Sequence, residues 1–290
     1  MSKARFLLRR IQAIKNTQKT TYAMKLVAGA KLKKVQALID GNRLYEAKLL
    51  HSLKALNSDQ FSSPLFEGKH SEGPVEVIAV VGSSRGLCGA LNTNIRRFLH
   101  DFLAKKSNPC KLFVIGRKLF EGLQFSKKFP VIDCVEDCPD IPSIKFAQEI
   151  NKKLIDLFFT DEVGRVTIIY THFTSVLSPK PAFKLLLPLK LELVGGVQSS
   201  DSVLFEPSLA EVADYLIPRL LDTKMLEALL ESKCSEQAMR MVAMENATKN
   251  AGELAAKLTL IANKLRQSSI TSEILDIIGG AEATKKESQF

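Results

Sequence analysis

Few stretches of this 290-residue chain combine residue types and spacings suited to chemistry. The richest is Val75–Gly82, followed by Ser83-Ser84-Arg85-Gly86-Leu87-Cys88-Gly89 and a helical pattern. A strand, a glycine loop and a helix in that order can aim main-chain amides at a phosphate. The spacing, G-x-x-x-G-x-x-G, is neither the G-x-G-x-x-G of dinucleotide folds nor a Walker loop. Glycines serving a tight turn and close packing account for the same letters, and that reading is preferred. Cys88 beside Arg85 has a neighbour that would favour a thiolate, and also the character of a small buried thiol. Cys134-x-x-x-Cys138 lacks two further Cys or His at metal-ligand spacing. His51, His70, His100 and His172 stand apart from one another. No Ser–His–Asp set and no carboxylate pair stands out. The expectation is a chain with no catalytic residue, no metal site and no cofactor.

The five cysteines are odd in number and no secretory signal precedes them, which predicts reduced thiols. No apolar run approaches the roughly 18 residues of a membrane helix. Charge is more informative. The surplus is +10, and residues 1–40 hold ten basic side chains against one acid, Asp40. A basic end on a nearly neutral body predicts a polyanionic partner for that end. The basic, amphipathic start mimics a transit peptide. However, Ser2 is its only serine and the helical pattern continues without a break, so it reads as mature structure.

These residues are set by three kinds of segment. From Ser2 to Leu56 good helix formers dominate and the first proline is Pro64. Leu7, Ile11, Ile14, Gln18, Thr21, Lys25, Ala28, Leu32, Val35, Ile39, Asn42, Glu46, Leu49, Leu53 and Leu56 form a heptad seam with polar interruptions. A second helix runs from a capping box at Ser208 and Glu211 to a stop at Gly279-Gly280. Its seam is Met241, Met244, Thr248, Ala251, Ala255, Leu258, Ala262 and Leu265, and Glu282–Phe290 reads as a frayed tail. Between them, strand patterns at 75–82, 111–116, 131–133, 165–172 and 183–191 alternate with helical ones at 91–105, 119–125 and 144–159, which predicts an α/β sheet with parallel members.

The domains expected are therefore an N-terminal coiled-coil helix at 1–57, a linker at 58–74 and an α/β domain at 75–194. A linker at 195–207, a C-terminal coiled-coil helix at 208–281 and the tail at 282–290 follow. Two long seamed helices that bracket one domain bury their seams most economically on each other, antiparallel. The apolar end at Ile270, Ile274, Leu275, Ile277 and Ile278 then calls for a hydrophobic socket on a partner.

Four ordered motifs resemble the gamma subunit of F-type ATP synthases. Ile11–Ala28 (IQAIKNTQKTTYAMKLVA) resembles its N-terminal signature and Ser84–Asn92 (SRGLCGALN) its D-R-G-L-C-G-x-x-N loop. Glu236–Met244 (EQAMRMVAM) with Asn246–Ala251, and Asn263–Ile274 (NKLRQSSITSEI), resemble its two C-terminal motifs. The resemblance implies a Rossmann-like α/β domain plus a long antiparallel coiled coil made by the terminal helices. It implies a rotor shaft inside a hexamer of alpha and beta subunits, with the α/β domain against the epsilon subunit and the c ring. The basic helix then faces acidic beta loops and the apolar tip enters a sleeve at the top of the hexamer. By the same resemblance Met24, Lys25, Arg266, Gln267 and Thr271 meet the hexamer, while Phe205 and Glu206 approach the c ring. Membrane association comes through the complex, on the cytoplasmic face of a bacterial plasma membrane. Thr20, Lys25, Gly29, Ser84 and Phe205 depart from the family pattern. The dithiol insert of chloroplast members is absent, so thiol regulation is not expected. Two other classes fit parts of the chain less well. A nucleic-acid binder would use the basic helix, and a nucleotide-dependent enzyme would use Gly86–Gly89.

Overall fold

A computed structural model describes residues 2–54, 65, 75–106, 108–124, 130–160, 162–189, 206 and 208–287. The elements in order are α1 (Ser2–Lys54), β1 (Val75–Val81), α2 (Leu91–Ala104), β2 (Cys110–Ile115), α3 (Arg117–Gln124), β3 (Val131–Val135), α4 (Ile144–Phe158), β4 (Val163–His172), β5 (Lys180–Leu187) and α5 (Leu209–Glu287). The expected linkers lie outside the described residues, apart from Leu65 and Glu206.

The chain divides into two compact units, Met1–Val27 with Val242–Phe290, and Ala28–Met241. The larger unit holds a five-stranded sheet in the order β3-β2-β1-β4-β5. β1 runs parallel to β2 and β4, β2 runs parallel to β3, and β5 is antiparallel to β4. β1 is buried along its whole length, which explains why five of its seven residues are β-branched. Val77, Ala79 and Val81 face one core with α4 and the start of α5, through Ile150, Leu154, Phe158, Ile217 and Leu221. Ile78 and Val80 face the opposite core, with α2 and α3, through Leu91, Ile95, Leu99 and Leu119. This is a doubly wound, Rossmann-like arrangement.

In the same unit α1 and α5 pair. Leu32, Val35 and Ile39 pack on Leu230, Cys234 and Ala238. The Lys224–Glu46 and Arg43–Glu231 ion pairs lie farther along. Partner numbers fall on one helix as they rise on the other, so the pair is antiparallel. The smaller unit is an antiparallel pair too, with Lys25 on Glu245 and Thr21 Oγ1 2.7 Å from Thr248 Oγ1. Every described position of the first seam is buried or half-buried, its polar members included.

The α5 start follows the capping box: Glu211 N donates to Ser208 Oγ at 3.3 Å and Ser208 Oγ to Glu211 Oε1 at 3.2 Å. Its other end differs from expectation. The helix runs through Gly279-Gly280 to Glu287, so most of the stretch read as tail is helical. A glycine stop needs a left-handed residue, and the described glycines with positive φ are Gly89 and Gly116 only. In helical φ/ψ two glycines cost about 1 kcal/mol each, without breaking the hydrogen-bond ladder.

Candidate functional site

The glycine loop lies at the carboxyl end of β1, beside β4, where the strand order reverses and open α/β sheets bind their ligands. Here the chain satisfies the loop itself. Ser83 N donates to Asn92 Oδ1 at 3.1 Å, and Asn92 Nδ2 to Ser83 Oγ at 2.7 Å. Lys118 N donates to Ser83 O, and Cys138 N to Ser84 Oγ at 3.0 Å. Arg240 of α5 donates to Gly86 O at 3.2 Å. From Leu220 to Ala238 nearly every residue of α5 is buried against the sheet and α1. Gly82 packs too closely on Leu119 for a Cβ and Gly89 takes φ +60°, in agreement with the turn reading, while Arg85, Gly86 and Leu87 are exposed.

The thiols do not form a reactive site. Cys88 is buried, its Sγ 3.5 Å from Ser83 Oγ and 3.8 Å from the carbonyl oxygen of Arg85, whose guanidinium lies 3.8 Å from Asp140. Burial pushes the thiols of Cys134 and Cys138 up to about 11, and that of Cys234 up to about 12. All five cysteines are free. Among the described residues no group of three or more His, Cys, Asp or Glu is placed to hold a metal.

The resemblance-derived residues fall as follows. Met24, 40% exposed, and Lys25 are adjacent on α1. Lys25 Nζ donates to Glu245 Oε1 at 2.7 Å, so part of its charge is answered within the chain. Arg266, Gln267 and Thr271 are exposed on α5, and Thr271 Oγ1 donates to Gln267 O at 3.0 Å. Exposed Ile270, Ile274, Leu275, Ile277 and Ile278 continue the same helix. All of these lie in the smaller unit. Glu206 is exposed, and Phe205 lies outside the described residues.

Sequence reading missed the partners. It set the basic stretch against one nearby acid, yet Lys25 pairs with Glu245 and Lys31 Nζ donates to Asp140 at 2.6 Å. That bond holds the Asp140 carboxyl below the usual carboxylate range. Arg5, Arg9, Arg10, Lys15, Lys19, Lys33 and Lys34 are exposed and form no ion pair among the described residues. Only the helix register could have revealed Glu245 as a partner.

Between α1 and α5 of the larger unit lies a second charged cluster. Glu231 is buried and accepts from Arg43 Nη2 at 2.8 Å, with His172 Nδ1 on its other oxygen. The Glu231 hydrogen bond raises the Arg43 pKa. Glu227 accepts from Lys184, raising the lysine pKa against the opposing effect of burial. Glu46 is pushed up by burial and then by Glu227, against the pull of Lys224. An acid raised in the folded state adds stability that is complete below its unfolded pKa and is lost as pH rises through the folded one. Glu46→Gln removes that titration. Its urea midpoint should therefore move in its favour relative to wild type between pH 4 and pH 7, and a constant difference would contradict the sign.

The family described as ATP synthase matches residues 3–284. A protein of Symbiobacterium thermophilum named ATP synthase gamma chain is 38% identical over 277 residues, spanning 95% of this chain and 96% of the relative. One of the same name from Dehalococcoides mccartyi is 38% identical over 98% of this chain and 99% of its own. A chain in the Euglena gracilis mitochondrial ATP synthase OSCP/F1/c-ring structure shares the fold, with a TM-score of 0.74 at 21% identity over 100% of this chain and 97% of that one. With its α/β core and antiparallel helix pairs joined to these full-length matches, the chain belongs to the ATP synthase gamma-chain family.

Proposed function

We infer that this chain is the central-stalk rotor subunit of an F-type ATP synthase, a shaft that couples ring rotation to ATP synthesis or hydrolysis at other subunits. The observation that carries this reading is the antiparallel pairing of the first and last helices in each unit, which covers the second seam as far as Ala262, with the apolar end of α5 exposed. A helix pair transmits rotation, and an uncovered apolar end needs a socket.

The partners follow from surface chemistry. The seven exposed cations within residues 1–40 of α1 that are unpaired among the described residues face acidic loops of the beta subunits. Met24, Lys25, Arg266, Gln267 and Thr271 meet the alpha–beta hexamer, and Ile270–Ile278 enters its sleeve. Phe205 and Glu206 lie toward the c ring, and the α/β domain takes the epsilon subunit. No helix among the described residues is long and apolar enough to cross a membrane. Membrane association through the complex, on the cytoplasmic face of a bacterial plasma membrane, accords with that.

Co-expression with F-type alpha and beta subunits, gel filtration and an ATPase assay test the reading. One copy of this chain per three alpha–beta pairs, with turnover that depends on it, is expected; a chain that elutes alone overturns it. Arg266→Ala should lower turnover of the assembled complex about tenfold, equivalent to one charge-assisted hydrogen bond. The isolated variant should keep its unfolding free energy within about 0.5 kcal/mol, because Arg266 is exposed. Unchanged turnover removes Arg266 from the interface.

A further inference from the structure

We propose that Ser232, Ser235 and Arg240 form the torque joint between α5 and the α/β sheet, as positioning residues for rotation; this rests on the rotor reading above. β1 pairs with β4 as far as Val80 opposite Ile169. Thr171 lies beyond that point, so its main-chain groups have no strand neighbour on the β1 side. α5 supplies the replacement. Thr171 N donates to Ser232 Oγ at 3.1 Å, and Ser235 Oγ donates to Thr171 O at 3.2 Å. Both serines are buried, 5% and 0% exposed, and stand three residues apart on one helix face.

A second anchor lies farther along α5. Arg240 donates to Gly86 O in the loop that follows β1, while Glu236 at 2.8 Å and Gln237 at 3.2 Å hold the same guanidinium. The helix is thereby tied to two different strands, β4 directly and β1 through its loop. Apolar packing and the Glu231–His172 and Glu227–Lys184 pairs also join α5 to the sheet; the burial energy is non-directional, and the two pairs end on side chains rather than on strand backbone. A roll of about 20° would move a side-chain atom roughly 5 Å from the helix axis by nearly 2 Å. That exceeds the few tenths of an ångström over which a hydrogen bond keeps its geometry. Serine inside a helix also competes with the backbone ladder, so packing alone would favour alanine at both positions.

The test uses the assembled membrane complex with Ser232→Ala/Ser235→Ala and, separately, Arg240→Gln. Rotor angle fluctuations are recorded on single immobilised complexes carrying a probe on the α/β domain. ATP hydrolysis and ATP-driven ion pumping are measured in parallel. The expected result is an angular variance raised about twofold or more, as directional bonds are lost. Hydrolysis should stay near wild type, and pumping against an opposing gradient should fall. Wild-type variance and pumping in either assembled variant overturns the joint. If the double variant does not assemble, Arg240→Gln, whose side chain is at the edge of the buried region, decides alone. A wild-type complex that neither assembles nor pumps overturns the rotor reading instead, so the two failures are distinct.

Discussion

Glu236→Ala should lower the unfolding free energy of the full chain by about 3–5 kcal/mol, the effect of stranding a buried charge. The Lys233 side chain is 2% exposed and that of Glu236 3%, with Lys233 Nζ 3.0 Å from Glu236 Oε2. The other carboxylate oxygen takes Arg240 Nη2 at 2.8 Å. Removing the carboxylate leaves the ammonium in the interior, without the only ion-pair partner it has among the described residues. Lys233→Met is expected to be milder, because Glu236 keeps Arg240, whose side chain is 14% exposed. The double variant Lys233→Met/Glu236→Leu should recover most of the loss, since an apolar pair of similar volume needs no desolvation of charge. Urea unfolding of the wild type and the three variants gives the comparison. A Glu236→Ala chain within about 1 kcal/mol of wild type would show that Lys233 does not depend on this carboxylate.

Gly116→Ala should cost about 3 kcal/mol or more, combining backbone strain with a clash that cannot relax. Gly116 has φ +113°, a conformation that L side chains rarely adopt. An added Cβ would stand 2.7 Å from Gly82 O, 2.8 Å from Gly82 C and 2.9 Å from Ser83 O, all of them backbone atoms. The same backbone is held from the other side, where Gly82 N donates to Ile115 O at 2.8 Å. Yielding would therefore break the corner between β1 and β2. Gly41→Ala is the internal control. Its Cβ meets nothing within 4 Å on the exposed face of α1, so it should gain about 1 kcal/mol in helix propensity. Equal effects from the two substitutions would remove the steric argument.

Much of the molecule was legible in one dimension because its signals are periodic. The heptad step along α1 named the buried face, down to half-buried Gln18, Lys25 and Glu46. Register across the pair decides how those polar members are satisfied, as with Thr21 on Thr248. The β-branched run at 75–81 marked the central strand because both faces of a parallel strand are buried. The motif-bearing residues were visible as letters, and the structure leaves Met24, Arg266, Gln267 and Thr271 exposed.

What periodicity could not reach depends on non-local pairing. Strand order, the antiparallel attachment of β5 and the approach of α5 to the loop after β1, through Arg240 on Gly86 O, are choices among topologies that share one pattern of letters. The end of α5 was misread because Gly-Gly stops a helix only when the chain turns left-handed there. By itself the sequence determined the helix seams, the core strand and the family motifs, since local burial patterns impose periods of 2 and 3.6 on the residues. Only the tertiary structure decided that the polar residues Lys233, Ser235, Glu236 and Gln237 lie buried. Polar side chains go inside when partners meet them there: Lys233 and Glu236 pair with each other, Glu236 and Gln237 accept from Arg240, and Ser235 donates to Thr171 O of β4.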